Sequence, residues 1–583
     1  MAVRPQSALA RLMEAGGPDV ISFALPGGAT LFEAGETTGM VYVAKAGRLA
    51  AIHQEGGHPP RWLGIIGPGE PIGEVALLAD SHHSATVVAL RDCELLAMPN
   101  AAFQAALTAH PAVMLEMARQ LIVRAHGGPA QPQIARVFGF VAVDASARVR
   151  SLAETLARSV RAWGSSVAVL GATAAEDTTE TLSRIEEDHD YVFYCAEGDE
   201  PAWGAACARQ ADRLFRIGRG DLPPPESLAT GHIAAVRLLK PVDLLLVHPA
   251  GAGRPAGSAD WRRALTVQRL LHIRDRDQSD LDRLARLITG RSTGLVLSGG
   301  GARGYAHVGV IRALRAAGTP VDFVGGASMG AVVGAGLAMD WDDAEIDRRI
   351  RKAFVDSNPL GDLTFPRLAM TRGERVASRL VEHFGDADIC DLWRPFFCVS
   401  SDLTAGAHHT HDRGPIAQAL RASIALPGIL PPIFNGESVL VDGGVLRNLP
   451  TDVMRALHDG PIIAVDVAGE SGLTAADLAM TRSLWVWFAT GGWRRGAPIV
   501  SLLLRSATVT AARELALARA SADLFIAPSL GAIELRDWKA YPAAVAAGRA
   551  ATEAALAGLT RPITDLRLPP TTGVSAEHEG LFS

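Results

Sequence analysis

The sequence is poor in the features that mark secreted, membrane-spanning or nucleic-acid-binding proteins. Its five cysteines are scattered and form no C-x-x-C pair, which predicts a reducing compartment and not a disulfide framework. We find no uncharged apolar run of about twenty residues that could span a bilayer, and no continuous apolar segment of a secretory signal at the N-terminus. Acidic residues outnumber basic ones by 62 to 56, for a net charge of −6, so composition gives no general case for nucleic-acid binding.

What the chain does have is length and apolar content. Its 583 residues predict three or four domains, and the 48% of hydrophobic residues suffices for large cores. Short apolar runs that end in glycine turns recur in the second half of the chain. These turns carry the residues that are the best candidates for catalysis.

Two strand–turn–helix units follow one another in residues 295–338. The first apolar run ends in the glycine-rich turn GGGARG at 299–304, and the second ends in GASMG, where Ser328 lies between Gly326 and Gly330. Open α/β sheets place their active sites at the carboxyl ends of strands. The G-x-S-x-G pattern is typical of a nucleophile elbow, a tight turn that exposes the serine hydroxyl. The sequence therefore predicts Ser328 as the nucleophile of a hydrolase.

A serine nucleophile needs a base, and the oxyanion it creates needs hydrogen-bond donors. A further apolar run at 438–441 leads into a glycine turn at Asp442, which is the best candidate for the base. The glycine-rich turn can present several backbone N–H groups at a helix N-terminus, whose dipole favours negative charge. The predicted oxyanion loop comprises Gly299, Gly300, Gly301, Arg303, which adds a fixed positive charge, and Gly304.

These motifs, in this order, resemble those of the patatin-like phospholipases, which combine a GGGxRG oxyanion loop, a GxSxG serine and a DGG aspartate. All three are intact here, and residues 419–428 are similar to the family's segment ahead of the aspartate. The resemblance covers roughly the last half of the chain. It implies an α/β/α hydrolase fold with a Ser328–Asp442 dyad, in which Asp442 deprotonates Ser328 directly without a catalytic histidine.

The same residues admit other interpretations. Residues 299–304 also match G-x-G-x-x-G, and Asp322 lies near the distance expected for a ribose-binding acid, so a dinucleotide site is the main alternative for this loop. That alternative leaves Ser328 and Asp442 without a role. Taken singly, the serine turn and the Asp-Gly turn could each be ordinary structural turns. Their combination is what favours a hydrolase.

Several histidines are candidates for catalytic or metal-binding roles. Only His458 and His578 follow the candidate base, as a Ser-Asp-His triad would require. His458 is predicted to end a helix, where a cation suits the dipole, and His578 lies in a polar tail, so both are interpreted as structural. The cluster of His408, His409 and His411 has no further ligand at a recognisable spacing, which predicts a solvated loop and not a metal site.

Residues 20–100 have the pattern of short strands separated by Gly, Pro and Asn turns, and a helical pattern follows to about Arg124. The motifs LFEAGE, VYVAKAG and GEVALL followed by SAT resemble the cyclic-nucleotide-binding β-roll. In nucleotide-competent members of that family, a glutamate holds the ribose and an arginine holds the cyclic phosphate. Glu74 matches the glutamate, but His83 stands at the arginine position, and a neutral imidazole cannot replace a bidentate arginine. We therefore expect weak or no binding of cyclic nucleotides.

Apolar segments between residues 137 and 247 alternate with helical patterns, which predicts a parallel α/β middle domain. The order of β-roll, α/β domain and hydrolase resembles bacterial relatives of neuropathy target esterase, as does the stretch SDLDRLARLITG. This resemblance implies a phospholipase or lysophospholipase. The expected division is a β-roll at 15–126, an α/β domain at 134–290, a patatin-like domain at 293–560 and a flexible tail at 561–583.

The sequence thus predicts a serine esterase that hydrolyses acyl ester bonds of phospholipids or lysophospholipids. We expect no cofactor, no metal and no nucleic-acid partner, and a cytoplasmic location with peripheral contact at the inner membrane face. Residues 484–495 combine tryptophans with arginines, which suits a bilayer interface, although a helix packed on the core is an alternative interpretation. An alternative of another class is a regulatory or scaffold protein, in which a β-roll sensor is joined to an inactive hydrolase fold.

Overall fold

The computed structural model describes residues 8–15, 19–37, 39–53, 61–79, 81–126, 135–229, 240–357, 359–365, 367–468, 511–531 and 533–568. The chain divides into two compact units. The first comprises Met1–Val247 with Ala264–Gln268, and the second comprises His248–Arg263 with Arg269–Ser583. Residues 484–495 and most of the tail lie outside the described part of the chain.

The first unit begins with an antiparallel β-roll of two four-stranded sheets, as predicted. The strand orders are β1-β8-β3-β6 and β2-β7-β4-β5. The strands are β1 (Ile21–Leu25), β2 (Thr30–Phe32), β3 (Met40–Ala46), β4 (Leu49–His53), β5 (Arg61–Ile66), β6 (Pro71–Ile72), β7 (Thr86–Ala89) and β8 (Cys93–Pro99). The helices are α1 (Ala8–Glu14), α2 (Glu74–Leu78), α3 (Asn100–Ala109) and α4 (Pro111–His126).

The helical pattern after the roll forms two helices and not one. Helix α3 ends at Ala109 and helix α4 starts at Pro111. Proline has no N–H to donate and disfavours helical geometry in the residue before it, here His110. The single helix expected to about Arg124 is therefore interrupted.

A parallel sheet follows in the same unit, which confirms the predicted α/β middle region. Its elements are β9 (Val137–Ala142), α5 (Val149–Arg161), β10 (Val167–Leu170), α6 (Thr179–Asp188), β11 (Tyr191–Ala196), α7 (Pro201–Gln210), β12 (Arg213–Arg219) and β13 (Val242–His248). The order β10-β11-β9-β12-β13 is parallel throughout. Helix α5 buries Val149, Ala153, Leu156 and Val160. Their spacing of three and four residues puts them on the one face that packs on the sheet.

The second unit is built around an eight-stranded mixed sheet. Its elements are α8 (Ser258–Ala264), β14 (Arg269–Arg274), α9 (Gln278–Ile288), β15 (Gly294–Leu297), α10 (Ala306–Ala316), β16 (Phe323–Ala327), α11 (Ser328–Ala338), α12 (Asp343–Ile350), α13 (Glu374–Phe384), β17 (Phe396–Asp402), β18 (Ala407–His411), α14 (Ile416–Ser423), β19 (Ile433–Asn435), β20 (Ser438–Asp442), α15 (Thr451–Leu457), β21 (Ile462–Val465), α16 (Ala511–Ser521), β22 (Leu524–Ile526) and α17 (Tyr541–Ala557). None of the helices in the described ranges is long and apolar enough to cross a bilayer.

The sheet order of the second unit explains where its loops meet. The strands run β19-β20-β17-β16-β15-β21-β22, and β18 pairs with β17. Strands β15, β16 and β17 are parallel, whereas β20 runs antiparallel to β17. The carboxyl ends of β15 and β16 therefore lie at one edge, where parallel sheets place functional loops. Helices on both faces make the α/β/α layers expected from the sequence.

Candidate active site

Ser328 lies at the junction of β16 and α11, at the carboxyl end of its strand. Its φ angle is +51°, in the left-handed region that residues with side chains rarely adopt. The turn is held close to the neighbouring strand, since a Cβ on Gly326 would lie 2.6 Å, and one on Gly330 2.3 Å, from the carbonyl oxygen of Leu297. Only glycine fits at these two positions. This is the strained strand-to-helix turn of a nucleophile elbow.

Asp442 ends β20 and is hydrogen-bonded directly to the serine. The Ser328 hydroxyl donates to Asp442 Oδ2 at 2.6 Å, and the Gly444 N–H donates to Oδ1 at 2.8 Å. Burial raises the pKa of Asp442 to about 6, while its hydrogen bonds with Ser328 and Gly444 act in the opposite direction. Such a carboxylate is mostly ionised at neutral pH and is still a better proton acceptor than an exposed one.

Two polar side chains that no local pattern marks hold the backbone of this site. The Ser423 hydroxyl accepts a hydrogen bond from the Ser328 N–H at 2.9 Å and donates to the Val399 carbonyl at 2.7 Å. Asn448 Oδ1 accepts from the Gly299 N–H at 2.9 Å. Ser423 lies in the stretch that is similar to the family's segment ahead of the aspartate, which is the only sequence signal for either residue. Both are positioning residues, since each acts on the backbone next to the dyad.

The predicted oxyanion loop at 299–304 is in contact with Ser328. A Cβ on Gly299 would lie 2.8 Å from the Cβ of Ser328. Gly301 has a φ of +54°, and a Cβ there would lie 2.3 Å from a backbone carbonyl oxygen, so only glycine fits. Within the described residues, the N–H groups of Gly300 and Gly301 donate to no protein acceptor. These two donors therefore meet one requirement of the predicted oxyanion hole, which is to have no competing protein acceptor.

The other members of the predicted loop have different contacts. The N–H of Gly299 is already bonded to the asparagine described above. Gly304 packs on the residue after the nucleophile, because a Cβ there would lie 2.4 Å from Met329 Cγ. Arg303 is nearly buried, and burial lowers its pKa, while the negative charge of Asp466 acts in the opposite direction. The negative charge of Asp466 thus offsets part of the positive charge of Arg303.

Histidine takes no part in the hydrogen bonds of Ser328 Oγ and Asp442 in the described residues. His458 follows α15 and is buried, and burial lowers its pKa to about 3. Its ring stacks on that of Phe323, with centroids 4.8 Å apart. Phe323 begins β16, and Ser328 follows the other end of that strand. His307 is fully buried, and burial lowers its pKa to about 4. Both histidines are packing residues.

The cluster of His408, His409 and His411 lies in strand β18, so the predicted solvated loop is wrong. His411 Nε2 lies 2.8 Å from Ser400 Oγ, and burial lowers the pKa of His411 to about 4. No group of three or more metal-ligating side chains is found in the described ranges. His578 lies outside them.

Asp322, the acid of the dinucleotide alternative, is a buried ion-pair residue. It binds Arg286 at 2.6 Å and accepts the Thr293 N–H at 3.0 Å. It also precedes β16, at the amino end of the strand, whereas the glycine-rich loop follows the carboxyl end of β15. Asp322 is therefore unable to reach a ribose bound at that loop.

In the β-roll, the two predicted ligand residues are both buried. Glu74 begins α2 and is 2% exposed. The His83 ring is 5% exposed and stacks on Phe32 with centroids 3.6 Å apart. Burial lowers the pKa of His83, and the negative charge of Glu36 acts in the opposite direction. Burial therefore favours the neutral form of His83, at the position where the resemblance predicts an arginine in nucleotide-competent members.

Cyclic AMP and cyclic GMP are expected to bind the roll weakly or not at all near neutral pH. The missing charge-assisted contact is worth about 1.5–3 kcal/mol, or roughly one to two decades in affinity. Since burial lowers the pKa of His83, any residual binding strengthens only below the usual value of 6.5. His83→Arg should tighten binding in calorimetry if Glu74 still holds the ribose. Micromolar binding by the unmodified protein at about pH 8 would show that another residue binds the phosphate.

The comparisons with known proteins agree with this geometry. Residues 295–455 match the patatin-like phospholipase family, and residues 23–110 match the cyclic nucleotide-binding domain. Among solved structures, the catabolite activator protein of Thermus thermophilus is 27% identical and covers 21% of this chain and 56% of its own, with a TM-score of 0.19. A TM-score this low carries no argument about the fold. The fold of the N-terminal region is defined by the family match and by its strand order.

Relatives match most of the chain. An NTE family protein of Mycobacterium tuberculosis is 33% identical over 559 residues, which cover 91% of each chain. Patatin-like phospholipase domain-containing protein 6 of Mus musculus is 28% identical over 92% of this chain and 45% of its own, so this chain spans less than half of that protein. Neuropathy target esterase sws of Drosophila melanogaster is 28% identical over 80% of this chain.

The sheet of the second unit, with a serine turn and a glycine-rich loop at one edge, defines a lipid-hydrolysing esterase of the patatin-like phospholipase class. The extent of the mycobacterial match is more specific. The chain belongs to the NTE, or neuropathy target esterase, family.

Proposed function

We propose that the chain hydrolyses acyl ester bonds of phospholipids or lysophospholipids, with Ser328 as nucleophile and Asp442 as its base. The observation that carries this function is the 2.6 Å hydrogen bond from the Ser328 hydroxyl to Asp442. The left-handed φ of Ser328 supports it, because strain of this kind is retained where function requires it. Family membership supports lipid esters as the class of substrate.

The chemistry follows from the contacts of the dyad. Asp442 takes the hydroxyl proton as Ser328 Oγ attacks the ester carbonyl carbon, and the N–H groups of Gly300 and Gly301 bind the resulting oxyanion. The bond to the leaving alcohol breaks, and Asp442 gives its proton to that alcohol. Water then attacks the acyl-serine, Asp442 again accepts the proton, and the fatty acid is released while the proton returns to Ser328.

A fluorophosphonate probe combined with a lipid panel tests this function. The probe should label the unmodified protein at Ser328 and should not label Ser328→Ala, because only an activated serine reacts. The same pair of proteins, incubated with phospholipids and lysophospholipids, should release fatty acid only when Ser328 is present. A well-folded unmodified protein that takes no label and hydrolyses no lipid would instead support the regulatory or scaffold alternative.

Activity should depend on pH through a single acidic limb. The base must be ionised, and burial raises the pKa of Asp442 to about 6. Protonation therefore removes the base as the pH falls, and kcat/KM should drop about tenfold per pH unit below that value and level off above it. A pH–rate profile with a soluble ester measures this limb. A flat profile down to about pH 4.5 would contradict the role of Asp442.

We further propose the domain boundaries expected from the sequence, at 15–126, 134–290, 293–560 and 561–583. A cytoplasmic location with peripheral membrane contact is likewise proposed, and it fits a substrate whose acyl chains reside in a bilayer. Limited proteolysis tests the boundaries, since exposed linkers are the preferred sites of cleavage. Cleavage within a proposed domain that is as fast as cleavage between the proposed domains would contradict them.

A further inference from the structure

The most exposed large hydrophobic side chains of the described residues lie in one part of the second unit. Phe365 is 82% exposed, Leu363 71%, Leu368 68% and Phe434 67%, whereas the next, Ile122, is 58% exposed. Exposed apolar side chains that occur together mark contact surfaces. We call Leu363, Phe365 and Leu368 the apolar turn.

The apolar turn is the end of a short antiparallel hairpin. Leu363 pairs with Thr371 across the hairpin. The returning strand is fixed to the rest of the unit, because the Met370 N–H donates to the Gly428 carbonyl at 2.9 Å and the Thr371 N–H donates to the Ile429 carbonyl at 3.1 Å. The exposed side chains therefore project from an ordered, hydrogen-bonded support.

That support also holds the catalytic base. Shortly before Gly428 in the chain, the Ala425 carbonyl accepts the Asp442 N–H at 2.9 Å. Shortly after it, Phe434 in β19 pairs with Val439 in β20, the strand that ends at Asp442. The segment at 424–435 thus connects the base, the apolar turn and Phe434. Because Leu440 of β20 pairs with Asp402 at the carboxyl end of β17, Val439 and its partner Phe434 lie at the edge of the sheet that carries the active site.

Cations accompany the apolar side chains. Arg367 lies between Phe365 and Leu368 and is exposed, and Arg372 follows the hairpin and is also exposed. Apolar side chains with adjacent arginines match the layer of a bilayer where acyl chains meet headgroup phosphates.

We propose that the apolar turn and Phe434 insert into the surface of a phospholipid bilayer and place the active-site edge against its substrate. This role rests on the proposed function, because only a lipid substrate needs such contact. Insertion would draw the acyl ester toward Ser328 without extraction of the whole lipid into water.

Vesicle flotation of the full chain tests this contact. Ser328→Ala serves as the starting protein, so that the vesicles stay intact, and they consist of phosphatidylcholine alone or mixed with phosphatidylglycerol. Replacing the apolar turn by Leu363→Ser, Phe365→Ser and Leu368→Ser should weaken binding at least about tenfold, since each large apolar side chain fully withdrawn from water contributes about one to two decades. Arg367→Gln should weaken binding mainly to the anionic vesicles.

A matched control removes three apolar side chains of comparable exposure from α4. Met114→Ser, Leu115→Ser and Ile122→Ser should leave flotation unchanged, because these residues are 56%, 56% and 58% exposed but belong to the first unit. Thermal melts check that all variants are folded. Binding by the apolar-turn variant equal to that of the starting protein would overturn the assignment.

Three further outcomes separate this inference from others. A dimer in light scattering that the apolar-turn variant abolishes, without any vesicle binding, would show that the surface joins two copies of the chain and would overturn the membrane role. Vesicle binding by the Ser328→Ala protein, together with no ester hydrolysis by the unmodified protein, would overturn the proposed function and support the membrane contact. Ester hydrolysis without vesicle binding would overturn the membrane contact alone.

Discussion

Ser328→Ala and Asp442→Asn are each expected to lower ester hydrolysis by at least about four orders of magnitude while the protein stays folded. The alanine removes the attacking oxygen, and the asparagine keeps the shape of the side chain but cannot take a proton. Because the 2.6 Å hydrogen bond makes the two residues one unit, the double variant should be little worse than either single variant. Steady-state kinetics with a soluble ester measure all three.

His458→Ala is the control for the dyad. This histidine is buried against Phe323, so its loss should reduce stability and leave turnover of the folded protein nearly unchanged. A folded His458→Ala protein without activity would move the site to a Ser-Asp-His triad. Additive losses in the double variant would mean that Ser328 and Asp442 act independently.

The serine turn and the glycine-rich turn could be predicted because local geometry constrains the residue types. Gly326 and Gly330 are required where a Cβ would meet the Leu297 carbonyl, and Gly301 is required by its positive φ. Constraints of this kind leave a fixed spacing in the sequence. The parallel sheets could be predicted for a similar reason, because buried strands need continuous apolar runs.

Ser423 and Asn448 could not be predicted in this way, because each contacts a residue that is far away in the sequence. Asn448 meets Gly299 from 149 positions away, and Ser423 meets Ser328 from 95 positions away. Neither contact imposes a local pattern. Only the fold brings these polar groups to the backbone of the site.

The prediction of a solvated loop at His408, His409 and His411 was wrong for a tertiary reason. Strand β18 carries polar histidines and lacks apolar alternation, and it forms because it pairs along β17. His458, which the sequence places at a helix end, lies against Phe323, where burial disfavours its charged form. Local patterns do not determine burial of a helix end or pairing of a polar strand.

Gly301→Ala is expected to lower kcat about a hundredfold or more and to change KM little. The new Cβ would lie 2.3 Å from the Leu535 carbonyl oxygen at a φ of +54°, so the loop must shift and carry the Gly301 N–H out of place. An oxyanion donor acts on charge that develops in the transition state, and loss of one such donor costs roughly 3 kcal/mol. Steady-state kinetics with a soluble ester separate kcat from KM.

Gly318→Ala is the matched control for this glycine. Gly318 follows α10 with a φ of +66°, and a Cβ there would meet nothing within 4 Å, so the variant bears backbone strain without a clash near the nucleophile. It should lose about 1 kcal/mol of unfolding free energy and keep its kcat. If Gly301→Ala turned over as fast as Gly318→Ala, or lost activity only through KM, the N–H of Gly301 would not be an oxyanion donor. Both alanines introduce backbone strain. If both variants stay folded and only Gly301→Ala loses turnover, the loss is a catalytic effect of the loop and not an effect of that strain.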